Sequence, residues 1–237
     1  MSTRRAASAS PGLLLLAIAA IVAAWQVPYG PQALYPLSLL ATFAHEMGHG
    51  LTALLAGEYF DHLYLHANGS GLAEWHGTPG RLARAAIAAG GLLGPSVAGV
   101  TLLIVAGSPR RARMLLGVFA AGLVFCVVLW VRNGFGVTFL LATAVILAAA
   151  ARWLGDFAAG FVLHLLATML CLSWFRDLSY MFSAEAVVAG VSHPSDSALI
   201  ADALWLPYWF WGALIAALSL GLLVLGLWVV ARNWRPE

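Results

Sequence analysis

Apolar residues run almost unbroken through this chain for tens of residues at a time, and polar residues gather in short intervals between the runs. A helix needs about 20 mostly apolar residues to cross the hydrocarbon of a bilayer. Runs of that order lie at Pro11–Val27, Leu34–Ala56, Leu82–Ala106, Met114–Val131, Phe135–Ala151, Gly160–Phe182 and Leu204–Ala231. They predict about seven spans, or six if Met114–Ala151 folds as one tight hairpin around Arg132-Asn133-Gly134. The first run also has the look of a secretory signal peptide, with Val22-Ala23-Ala24 before Trp25. The many spans behind it favour an uncleaved helix. Of the polar intervals, Gly57–Gly80 reads as two short strands around an Asn68-Gly69 turn. Ser183–Asp202 reads as a surface loop or a re-entrant piece. The expected fold is an all-α polytopic membrane protein with a short β-hairpin-like segment after its second helix, in a single integral membrane domain over residues 1–237.

Composition agrees with this pattern. The chain has 237 residues, of which 62% are hydrophobic and 9% charged, against about a quarter charged in a soluble domain. The lipid bilayer is therefore the solvent for most of it. All 12 basic residues are arginine and the net charge is only +2, so no nucleic-acid partner is expected. Abundant alanine and glycine with no lysine suit a GC-rich bacterial genome, hence a bacterial plasma membrane. Cys126 and Cys171 both sit in apolar runs and read as packing residues.

One stretch breaks the pattern. HEMGH, at His45–His49, puts two histidines and a glutamate inside the second span. Ionisable groups at that depth are costly and mark function. Four residues apart on a helix, His45 and His49 share a face one turn apart and can hold one zinc ion together. Glu46 then stands beside them, where it can deprotonate a metal-activated water. The alternative is a pair of helix-contact histidines, but a chance HExxH on a predicted helix is rare. Gly48 and Gly50, in the same turn, allow close approach of a backbone or a ligand, and simple helix packing explains them equally well.

YPLSLLATFAHEMGHGLTALLAGEYFDHLYLHANGSG, followed by GGLLGPSVAG at Gly90–Gly99 and then by RDLSYMF and SDSALIADALWLPYWFWGAL, resembles the site-2 protease group of intramembrane zinc metalloproteases. More narrowly it resembles their short, multi-span bacterial branch. The resemblance implies a zinc endopeptidase that hydrolyses peptide bonds in or near transmembrane segments of membrane proteins, as in regulated intramembrane proteolysis. Zinc would be held by two histidines and an aspartate. It also implies a strand beside the site that pairs with unwound substrate; Tyr59–His66 would supply it, with Tyr64 and Leu65 as substrate-binding residues, and a plain connecting hairpin explains the segment equally well. A non-proteolytic metal-binding membrane protein, such as a transporter or sensor subunit, is the rival; no internal repeat favours it.

The family's aspartate motifs, Leu-Asp-Gly or Asn-Pro-Asp-Gly, are absent here, so Asp156, Asp177, Asp196 and Asp202 are all candidates for the third ligand. His49 lies about 9 Å before the end of its predicted span and Asp177 about 8 Å before the end of its own, at the helical rise per residue. Matching depth favours Asp177. Asp196 is the alternative, reaching the site only if its loop folds back, and SDSALIADAL reads equally as a helix cap. His62, His66 and His76 read as loop residues with some scope for an accessory ligand role, and His164 as a core histidine. Asn68 and Asn133 read as turn residues.

Overall fold

The computed structural model of the protein describes residues 11–188 and 190–233. Helices α1 (Pro11–Gln26) and α2 (Gly30–Leu55) lead into a hairpin of β1 (Tyr59–Leu65) and β2 (Gly71–His76). Helices α3 (Arg81–Val105), α4 (Pro109–Leu129), α5 (Gly134–Trp153) and α6 (Asp156–Arg176) follow. A single turn, α7 (Leu178–Met181), precedes a second hairpin of β3 (Glu185–Val188) and β4 (Val191–Pro194). The chain closes with α8 (Asp196–Leu204) and α9 (Tyr208–Asn233). The fold is thus mostly helical and polytopic, with two small antiparallel strand pairs.

Among the described residues, α3, α4, α5, α6 and α9 are long and apolar enough to cross a membrane. Helix α2 is as long as these but carries HEMGH, and α1 has 16 residues; with them, the helices occupy the seven places read from the sequence. Two of those places have different bounds. The sixth run stops at Arg176, where Asp177 caps α6 and the chain turns into α7. The seventh begins later, at Tyr208, because Trp205 takes a left-handed conformation (φ 71°) that ends α8 at Leu204. Ser183–Asp202 is therefore a hairpin and a short helix rather than a plain loop.

Helices α3 and α6 are central, whereas α4, α5 and α9 expose large apolar side chains such as Val118, Phe125, Val145, Ile146, Val224 and Trp228 outward. Between helices in lipid, close packing of small residues replaces the hydrophobic drive available in water. Helices α2 and α3 meet in this way. A Cβ added to Gly48 would stand 2.1 Å from the Gly90 carbonyl oxygen, and one on Gly94 would stand 2.6 Å from that of Ala44. Gly50 makes room for the Phe60 ring of β1. Gly48→Leu is expected to wedge α2 from α3 and to cost about 1–3 kcal/mol, as overpacking does. A lowered melting temperature in detergent would register it; an unchanged one would count against the contact.

The first hairpin is fastened to α2. Tyr35 donates to the Ala67 carbonyl at 2.7 Å and Thr42 to that of Gly69 at 3.0 Å, so the turn lies over the helix. Asn68 accepts from the Ser70 amide and hydroxyl, and Gly69 takes φ +91°, as an Asn-Gly turn requires. On its outer side β1 is already paired. Leu63 bonds Trp130 and Arg132 through its backbone, and the Asn133 side-chain amide brackets the N–H and C=O of Leu65. Asn133 is therefore more than a turn residue; it closes a strand edge.

Candidate metal centre

Helix α2 brings His45, Glu46 and His49 to one side, and the helical repeat sets the two imidazoles 3.1 Å apart at their Nε2 atoms. The third group comes from far along the chain. Asp196, the first residue of α8, places Oδ2 3.0 Å from His45 Nε2 and Oδ1 3.3 Å from His49 Nε2. Its loop does fold back. The β3–β4 hairpin returns the chain after α6, and Ser195 fixes the start of α8 by accepting from Ala198 N–H and donating to the Ser183 carbonyl. Of the two aspartates expected as third ligand, the structure brings Asp196 to the histidines and leaves Asp177 outside their cluster. Asp177 caps α6 and pairs through both oxygens with Arg176, at 2.9 and 3.3 Å. Matching depth would require α6 to continue past Asp177, and it does not.

The donor set suits a divalent metal ion. Among the described residues, His45, His49 and Asp196 are the group of three whose ligand atoms all lie within 4.8 Å of one another. Ligand atoms on a tetrahedral zinc stand about 3.3 Å apart, given bonds of about 2.0–2.2 Å; the two imidazole nitrogens, 3.1 Å apart, fall close to that, and each has one Asp196 oxygen within 3.3 Å. His49 Nδ1 lies 2.9 Å from the Ile87 carbonyl oxygen. A carbonyl can only accept, so Nδ1 carries the proton and Nε2 turns its lone pair toward the cluster. A Cβ on Gly91 would come within 2.2 Å of that Nε2, so only glycine lets the imidazole sit there. Asp196 lies in α8, outside the spanning helices. Burial works to raise its carboxyl group, but the two imidazoles outweigh that and hold it well below the ordinary carboxylate range. It is the anion that a cation requires.

Glu46 is buried beside the histidines and under β2. Gly71 is close enough that an added Cβ would stand 2.6 Å from its Oε1. A cavity of about 340 Å³ opens over this group, lined by Gly71, Leu72, Ala73 and Trp75 of β2 and by Ala186, Val188 and His193 of the second hairpin. The strand that faces it is β2. Because Leu63 and Leu65 of β1 direct their backbone groups to the Trp130–Asn133 side, their partners Ala73 and Gly71 direct theirs away from β1, toward the cavity. Tyr64 and Leu65, expected to bind substrate, lie on β1, whose far edge Asn133 closes, and Leu65 is wholly buried. The open edge belongs to Gly71–His76. Gly71, Gly91 and Tyr180 fall within HANGSG, GGLLG and RDLSYMF respectively, stretches that carry the family resemblance, but nothing in the sequence assigns them to the centre.

The remaining histidines do not join the cluster. His76 pairs with Asp61 on the exposed side of the hairpin, and His62 contacts the Asp61 carbonyl. His164 is buried in α6 and bonds the Gly160 carbonyl at 2.8 Å. Cys126 and Cys171 are free thiols.

No curated protein and no solved structure matches this chain significantly. A family model does, that of the Peptidase M50B-like proteins, over residues 14–226, which contain all four polar residues of the centre. The chain belongs to that family, the membrane metallopeptidases of the site-2 protease type.

Proposed function

We propose that this protein is an intramembrane zinc endopeptidase, and that the whole chain, 1–237, works as one membrane-embedded protease domain in a bacterial plasma membrane. The observation that carries the reading is the convergence of His45, His49 and Asp196 beside a buried Glu46, under the open edge of β2. His45, His49 and Asp196 would hold zinc, with the fourth position free, as in catalytic rather than structural sites. Bound there, zinc supplies Lewis acidity to the scissile carbonyl and to the attacking water. Glu46 takes the proton of that water and passes it to the leaving nitrogen.

The substrate class follows from the edge strand. A transmembrane helix satisfies its own peptide groups, so its bonds become accessible only after unwinding, and each freed group in lipid is costly. The Gly71 and Ala73 backbone offers replacement hydrogen bonds to an extended segment, and residues of β3 and β4 line the same cavity. Substrates would accordingly be membrane proteins cut in or near their transmembrane segments, as in regulated intramembrane proteolysis. The transporter or sensor reading leaves Glu46 without a role.

Purified protein in lipid vesicles, given a set of single-span reporter proteins, is expected to cleave at least one within its hydrophobic segment. A zinc chelator should stop that cleavage and added zinc should restore it. Cleavage that continues in chelator would overturn the zinc mechanism.

A further inference from the structure

Tyr180 sits on α7, between the two candidate aspartates, and touches the centre without offering a metal ligand. Its hydroxyl lies 2.9 Å from Asp196 Oδ2 and 3.2 Å from the Asp196 backbone nitrogen. Its ring stands edge-on to His45 with centroids 6.1 Å apart. The direction of both hydrogen bonds is fixed by chemistry. The amide can only donate, so the hydroxyl oxygen accepts from it; the ionised carboxylate can only accept, so the phenolic proton goes to Oδ2.

We infer that Tyr180 is the positioning residue of the metal centre, gripping Asp196 by backbone and side chain at once so that its carboxylate meets His45 and His49 in a single rotamer. This rests on the zinc reading above. The need for such a grip lies in the chain's own construction. His45 and His49 are fixed by one long helix, but Asp196 begins a helix of nine residues that follows a small hairpin. At the N-terminus of a short helix a side chain is free to rotate toward its own first-turn amides. Tyr180 satisfies the Asp196 amide and one Oδ2 lone pair, which leaves Oδ1 and the rest of Oδ2 for the histidine side. Ser195 adds a second fastening, its N–H bonding the Ala184 carbonyl and its hydroxyl the Ser183 carbonyl. The turn of α7 thereby sets where the third ligand stands. The segment from Leu178 to Pro194 then has a purpose of its own, since it carries an aspartate from a distant part of the chain and holds it against α2.

The test compares wild type with Tyr180→Phe, both as full chains in detergent micelles. Phenylalanine keeps the ring against His45 and removes only the hydroxyl. Zinc affinity is read by competition with a chromogenic chelator, the ligand field by the visible spectrum of the cobalt-substituted protein, and the fold by far-ultraviolet circular dichroism. The expected result is wild-type helix content, zinc affinity lower by about 10- to 100-fold, as loss of an outer hydrogen bond to a ligand costs, and a changed cobalt spectrum. Wild-type affinity and an unchanged spectrum in Tyr180→Phe would overturn the positioning role. Failure of the wild type itself to hold zinc would instead overturn the reading on which the role rests.

Discussion

Asp196→Ala is expected to leave the purified protein without stoichiometric zinc, while Asp177→Ala keeps about one zinc per chain. Removing Asp196 takes away the carboxylate that touches both imidazoles, at 3.0 and 3.3 Å. Two neutral histidines on one helical turn are a weak site for a divalent cation, with no charge to balance it. The loss should therefore exceed the roughly 100-fold that removal of an outer partner brings. Asp177→Ala breaks an ion pair with Arg176 that is partly exposed, and such pairs contribute at most about 1 kcal/mol. Its effect should be confined to the junction of α6 and α7. Metal analysis of dialysed protein decides the matter, and zinc retained by Asp196→Ala but lost from Asp177→Ala would reverse the assignment.

The second large effect falls on Glu46→Gln. Glutamine has nearly the same shape and keeps a side-chain carbonyl oxygen as acceptor, so the hairpin and the metal ligands should stay in place. What it cannot do is take a proton from water. General base catalysis contributes about 10²- to 10⁴-fold, so cleavage of a reporter should fall by that factor, or about 3–5 kcal/mol in barrier height. Zinc content should match wild type. A variant that cuts at the wild-type rate would end the case for Glu46 as the base.

Much of the fold and half of the centre are legible in the sequence because in lipid the signals are strong. Long apolar runs predict spans, and HEMGH stands out by being the wrong chemistry for its depth. The Asn68-Gly69 turn is equally plain, since its side chain and its positive φ are local matters. The placements that the sequence does not carry share a different origin: each depends on where one element stops or on what lies beside it. Asp177 reads as deep because nothing in RDLSYMF announces that α6 ends at Arg176. Tyr64 and Leu65 read as the open edge because the partner that closes it, Asn133, lies 68 residues away from Leu65. Asp196 reads both as an alternative third ligand and as a capping residue, and its neighbour Ser195 is the one that caps. Helix ends and strand neighbours are set by tertiary contacts, which periodicity does not carry.

The closure of β1 by Asn133 has a consequence for the protein in a crowded membrane. A strand with an open edge is a template on which any other chain can polymerise, including a second copy of itself. Here the outer edge of that sheet is sealed by a side-chain amide, and the other faces inward. A foreign strand can therefore extend this sheet from one side only, and in doing so it comes to rest within reach of Glu46.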